Sequence, residues 1–287
     1  MKRFSFLLIL TILAPAWVFA GGWTQKKGGY YAKFSLNNFS TREQFNLRGH
    51  REPLNTQFSL RDAKFTDTNL SFYGEYGLLE GLTLIANTSF KNYNSTGFNA
   101  LFQQDFDNAA SGLGDLYVGS RFRLLGYPFA LALQPMIKLP IGAKDKAIPL
   151  GTGDADAELR LQIGAGLPLG LQNYFTADIG YASRGGAAFN DEIPYLAEFG
   201  VFPVRDLIVK AQIDGRKSTA ALSDKMRPNQ TSQNVLIVNQ DFTRLWGGLI
   251  YSLSAAMQIS LEASTAIAGK NTVAGRAVYF GLAFKTP

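Results

Sequence analysis

From Gly21 to the C-terminus the chain alternates apolar and polar residues with a period of two, in segments of about ten residues separated by turn-forming stretches. Residues 111–140 show the pattern most clearly. Leu116, Val118, Phe122 and Leu124 share one face of a strand, with Asp115, Tyr117, Arg121 and Arg123 on the other. After the turn Leu125-Gly126-Tyr127-Pro128, Phe129, Leu131, Leu133, Ile137 and Leu139 share one face, and Gln134 and Lys138 the other. Such alternation suits a strand with one greasy and one polar side. In a soluble sandwich the greasy side meets a core; in an outer-membrane barrel it meets lipid, and the charged side meets a lumen.

The rest of the chain decides between these. Strands are predicted over residues 30–37, 69–76, 82–91, 115–124, 129–139 and 156–163, then over 175–181, 195–202, 207–216, 243–253, 258–268 and 275–284. The connections alternate between turns of a handful of residues, as at 77–81 and 203–206, and longer polar loops, as at 40–64, 92–111, 141–153 and 217–233. A transmembrane barrel sorts its loops in this way because one rim faces the periplasm and the other the outside. The expectation is therefore all-β: a single antiparallel transmembrane β-barrel of about 12 strands over 21–287, with short periplasmic turns and longer extracellular loops. Leu131 is expected near mid-strand, facing lipid. Aromatic residues near strand ends, among them Tyr76, Phe122, Tyr174, Phe202, Tyr251 and Phe284, are expected at the membrane interface.

Residues 1–20 read as a cleaved signal peptide. Met1-Lys2-Arg3 is positive, residues 4–13 are apolar, and Val18-Phe19-Ala20 fits a cleavage site that leaves Gly21 first. No later stretch reaches the roughly 18 continuous apolar residues of a membrane helix. Absence of cysteine excludes disulfides, thiolate metal sites and lipid attachment through cysteine. Charge adds little: without Lys2 and Arg3, the 28 basic residues become 26 against 22 acidic, scattered along the chain, so nucleic acid is not expected as a partner.

Three stretches carry a family likeness. GGWTQKKGGYY after the cleavage site, GLGDLYVGSRFRLL and GKNTVAGRAVYFGLAF resemble an uncharacterised outer-membrane β-barrel family labelled meta-pathway phenol-degradation or transporter proteins. Val278, Phe280, Leu282 and Phe284 also resemble the C-terminal signature of bacterial outer-membrane barrels. The resemblance implies residence in the bacterial outer membrane, contact with its lipid, and recognition by the assembly machinery through the strand ending at Phe284. It implies no catalytic residues and no cofactor.

Candidate chemistry in the residues is sparse. The single histidine, His50, lies between Arg48 and Arg51 without a serine-nucleophile signature, so an enzyme is not expected. Asp154, Asp156 and Glu158 share a face and could bind Ca²⁺, but lumen arginines offer them partners, and no metal site is assigned. The glycine pairs at 151–153 and 164–166 lack a following helix, so phosphate binding is unsupported. Candidate function resides on the lumen face, where a solute path would be lined by Lys33, Glu75, Lys91, Asp115, Arg121, Arg123, Lys138, Asp156, Glu158, Arg160, Asp178, Lys210, Arg244 and Glu262. Arg184, Glu198, Asp214 and Arg216 share that face. Arg121 and Arg123, two residues apart, are expected to project together and favour anions. The expected function is a passive channel or transporter for small molecules, aromatic or hydrophobic ones if the family label holds. The alternative is a closed structural barrel that displays its loops.

Overall fold

The computed structural model describes residues 21–54, 60–126, 128–186, 189–220 and 239–287. The leader at 1–20, Tyr127 and most of the loop expected at 217–233 lie outside the described residues. The first half consists of β1 (Tyr30–Thr41), β2 (Glu43–Phe45), β3 (Arg51–Pro53), β4 (Leu60–Leu79), β5 (Leu82–Asn99), β6 (Gln104–Leu113), β7 (Leu116–Leu125) and β8 (Ala130–Leu139). The second half adds β9 (Asp156–Ala165), β10 (Asn173–Ser183), β11 (Glu192–Val204), β12 (Leu207–Ser218), β13 (Asp241–Ser252), β14 (Met257–Lys270), β15 (Thr272–Val273) and β16 (Arg276–Lys285).

Twelve of these strands form a ring. The order β4-β1-β16-β14-β13-β12-β11-β10-β9-β8-β7-β5 is closed by pairing of β5 with β4, leaving no free edge. The fold is a closed antiparallel barrel, as the alternation predicts. Both chain ends lie at one rim, where Tyr30 N donates to Thr286 Oγ1 at 2.8 Å and Thr286 N donates to the Tyr30 carbonyl at 3.0 Å. The same rim carries the tight turns after β4, β7, β9, β11 and β13.

Burial is inverted relative to a soluble protein. Leu70, Phe90, Leu159, Leu161, Ile179, Leu261, Val278 and Phe280 are exposed on the outside, while Glu75, Arg121, Lys138, Glu198, Gln258 and Glu262 are buried within. An apolar belt this continuous needs lipid as its solvent. Its upper limit can be read from the register. Leu36 pairs with Leu70 and Leu70 with Phe90; one outward row further on, Asn38 pairs with Thr68 and Thr68 with Asn92. The outside turns from apolar to polar across that single step.

Beyond it the chain departs from the loops expected at 40–64 and 92–111. Strands β4, β5 and β6 run on together as a three-stranded arm, with β5 pairing β7 over its first residues and β6 over its last. Strands β2, β3 and β15 form a separate small sheet. Above the lipid the polarity reverses to the ordinary sense. Leu54, Leu60, Phe65, Phe106, Ile148 and Leu150 cluster on the inner side of the mouth, and the outer side carries Asn38, Thr68, Asn94 and Asp107.

Two placements need correction. Leu131 is the second residue of β8, at the short-turn end, where it pairs with Ile163 and Leu125. The outward position at mid-height is Leu161, which pairs with Leu133 and Ile179. Tyr174 and Phe202 are not interface aromatics. They join Ile208 and Ile250 in a cluster inside the short-turn end, because Trp23 enters the barrel there and gives them a core to pack on.

Candidate functional site

The lumen is crossed near the short-turn rim by residues 21–27, which precede β1 and form no strand. This strap crosses the interior from β4 and β5 towards β9 and β10. Gln25 N donates to Thr83 Oγ1 at 2.8 Å, and Gln25 Nε2 to Glu75 at 2.7 Å. Arg121 Nη1 donates both to the Trp23 carbonyl and to Glu75, each at 2.9 Å. Glycine makes room for the passage. A Cβ at Gly77 would lie 1.8 Å from the Lys26 carbonyl, and one at Gly164 would lie 2.5 Å from the Trp23 ring. The pair Glu75–Arg121 is almost fully buried, with Tyr73 and Gln134 completing its hydrogen bonds. A charge so placed is tolerable only with its partners in reach.

Higher up, one wall carries a continuous ladder of charge. Lys138 meets Asp156, and Arg184 bridges Asp156 at 2.9 Å and Glu192 at 2.6 Å. Arg216 then joins Glu192 at 3.0 Å to Glu158 at 2.8 Å, and Arg160 joins Glu158 to Asp178 at 2.8 Å. The strands β8 to β12 supply every rung but Arg184, which follows β10 directly, and the strand residues point inward by the period-two rule. A second group sits lower and runs from β11 and β12 round to β14 and β1, where Lys210 contacts Glu198 at 3.0 Å and Glu262 at 2.8 Å, and Lys33 also meets Glu262. Arg244 pairs with Asp214 at 2.6 Å between the rings of Phe242 and Trp246, and Trp246 stacks on Tyr279.

Residues 141–153, between β8 and β9, fold inward over this ladder. Asp115 holds both ends, accepting from Gly142 N at 3.1 Å and Thr152 N at 3.2 Å. Lys138 Nζ donates to Thr152 Oγ1, and Lys91 Nζ donates to the Leu150 carbonyl at 2.8 Å. The loop drives Ile148 and Leu150 into the apolar cluster at the mouth. Beneath it lies a cavity of about 130 Å³, bounded by Tyr117, Lys138, Thr152, Asp156, Arg184 and Arg216 among others.

The structure therefore gathers Asp115, Lys138, Asp156, Glu158, Arg160 and Asp178 on one wall, Lys33, Lys210 and Glu262 on another, and Glu75 with Arg121 below. Lys91 and Arg244 also face inward. Arg123 does not join Arg121. Arg123 keeps the register, paired with Ala132, but it is exposed at the rim with its guanidinium beside Gly81. The expected arginine pair is thus one buried, neutralised group and one rim cation. Asp156 and Glu158 are bound to cations, and no group of three or more metal-ligating side chains occurs among the described residues. His50 is exposed in the turn between β2 and β3, its backbone N–H donating to Asn46. The strap was invisible to strand periodicity because it is polar, glycine-rich and unpaired. Glu192 was missed for another reason: it lies just before the predicted strand that begins at 195.

No protein-family model matches the chain, and no curated protein matches it in sequence. Among solved structures, an outer membrane channel from Pseudomonas putida F1 is similar over 92% of this chain and 97% of its own, with 14% sequence identity and a TM-score of 0.63. The NanC porin aligns with 88% of this chain and 100% of its own, at 8% identity and a TM-score of 0.49. The Ralstonia pickettii toluene transporter TbuX aligns with 93% and 91%, at 9% identity and a TM-score of 0.46. The likeness to the first is one of fold alone, a closed antiparallel β-barrel.

Proposed function

We propose that the protein is a passive outer-membrane channel for small solutes, with its short turns in the periplasm and its long loops outside. One observation carries this reading. The lumen is narrowed by two non-strand segments, the strap at 21–27 and the loop at 141–153, each held by a handful of polar contacts. A barrel with a purely structural role has wall side chains sufficient to fill it. Twelve strands enclose more room than the eight that side chains alone fill, and here the extra room is taken by segments that can be displaced.

The apolar cluster at the mouth, with Phe65, Phe106, Ile148 and Leu150, is buried under the inward loop, so displacing that loop would give a solute with a hydrophobic or aromatic body a surface to meet before the polar ladder. That arrangement supports small, partly apolar solutes over large hydrophilic ones. Liposome swelling tests the reading. Vesicles carrying the refolded protein should admit solutes of a few heavy atoms faster than empty vesicles, and exclude disaccharides. Equal rates with and without the protein would instead favour the closed, loop-displaying barrel.

A further inference from the structure

The cavity beneath residues 141–153 has an imbalance in its hydrogen-bonding groups: its cations Lys138, Arg184 and Arg216 are matched in charge by Asp156, Glu158 and the adjoining Glu192, but donors outnumber the acceptors left to them. The carboxylate oxygens are already taken. Asp156 Oδ2 meets Lys138 and Arg184 while its Oδ1 accepts from Gly185 N, and the two oxygens of Glu158 receive Arg160 and Arg216. Glu192, just outside the lining, is likewise occupied on both oxygens.

The donors are not used up. Each guanidinium carries five N–H groups. Arg184 donates through Nη1, while its buried Nε lies 2.9 Å from Asp156 without forming a hydrogen bond, and Arg216 donates through Nη1 and Nη2. That leaves Arg184 Nη2, Arg216 Nε and the Tyr117 hydroxyl without an acceptor among the described residues. Met136 and Ala182 add an apolar patch to the same cavity. Spare donors and an apolar patch together suit a molecule that brings acceptor oxygens on a short carbon body. The volume of about 130 Å³ limits its size, since a cavity near 150 Å³ takes one benzene-sized molecule.

We propose that this cavity is a binding site for a small monocarboxylate, seated against Arg184, Arg216 and Tyr117 beneath the inward loop. The site deepens the channel reading and rests on it for its biological meaning, but binding and conduction can be measured apart. Acetate serves as the probe and acetamide as its uncharged counterpart, each titrated by calorimetry into the refolded full-length protein in detergent. Acetate should bind and acetamide should not. Arg216→Gln should weaken acetate by about tenfold, because a charge-assisted hydrogen bond is lost. Tyr117→Phe removes one unpartnered hydroxyl without touching the ladder, so it keeps the test valid if Arg216→Gln does not fold; it should weaken acetate about fivefold. Equal binding of acetate and acetamide, no binding of either, or wild-type affinity in Tyr117→Phe overturns the site. Conduction in planar bilayers without acetate binding also overturns it and leaves the channel standing, whereas acetate binding without conduction keeps the site and removes the channel.

Discussion

Replacing Glu75 with leucine strikes the joint where strap and wall meet. Glu75 and Arg121 are 2.9 Å apart, with their side chains 0% and 4% exposed, so the variant leaves a guanidinium buried without its counter-ion. Stranding one member of a buried ion pair costs about 3–5 kcal/mol. Arg121 keeps the Trp23 carbonyl, Gln134 and Tyr73 as partners, which places the expected cost near the lower end, at about 3 kcal/mol. Removing both charges should be far milder, because apolar replacement of a buried pair is often close to neutral. Glu75→Leu/Arg121→Leu should therefore be more stable than Glu75→Leu by about 2 kcal/mol. Urea unfolding in lipid vesicles of the wild type, Glu75→Leu, Arg121→Leu and the double variant, followed by tryptophan fluorescence and gel mobility, gives the four values of the cycle. If the two single substitutions simply add in the double, the pair is not coupled and the strap is not held as described.

Other outcomes follow from the same geometry. Leu161→Arg should cost about 2–4 kcal/mol in bilayers, because it places a charge at mid-height on the lipid face; Leu131→Arg, near the rim, should cost much less, and equal costs would show that the belt is misplaced. Asp115→Asn should loosen both ends of the 141–153 loop and make it a site of limited proteolysis, whereas wild type stays intact; unchanged cleavage would mean that Asp115 does not pin it. An epitope tag in the β5–β6 turn next to Leu101 should be reached by antibody on intact cells, and one in the turn beside Asp206 should not. The reverse labelling would invert the topology.

How much of this is legible from sequence depends on the solvent each segment meets. All twelve wall strands can be read because lipid demands apolar side chains on every outward position, and Leu159, Leu161 and Ile163 answer with an unbroken row. The arm formed by the upper parts of β4, β5 and β6 cannot be read in this way. There Asn92, Asn94 and Thr96 face water on one side while Tyr93 and Ser95 face inward, so the two faces differ too little in polarity to show a period. The inward direction of Lys33 and Glu262 is likewise legible. Their partnership, 229 residues apart in sequence, depends on closure of the ring and cannot be seen locally. Counting by twos also pairs Arg121 with Arg123, but Arg123 lies one step nearer the rim, where it is exposed while Arg121 is buried.

Single-channel recording from the refolded protein in planar bilayers, beside a variant lacking residues 21–27, tests the channel reading most directly. The wild type should pass small unitary currents, since the strap and the 141–153 loop leave only narrow space between them. Removing the strap should enlarge each current step several-fold while the barrel remains folded by gel mobility. Silent membranes for both proteins would contradict the account and establish a barrel that is closed whether or not the strap is present.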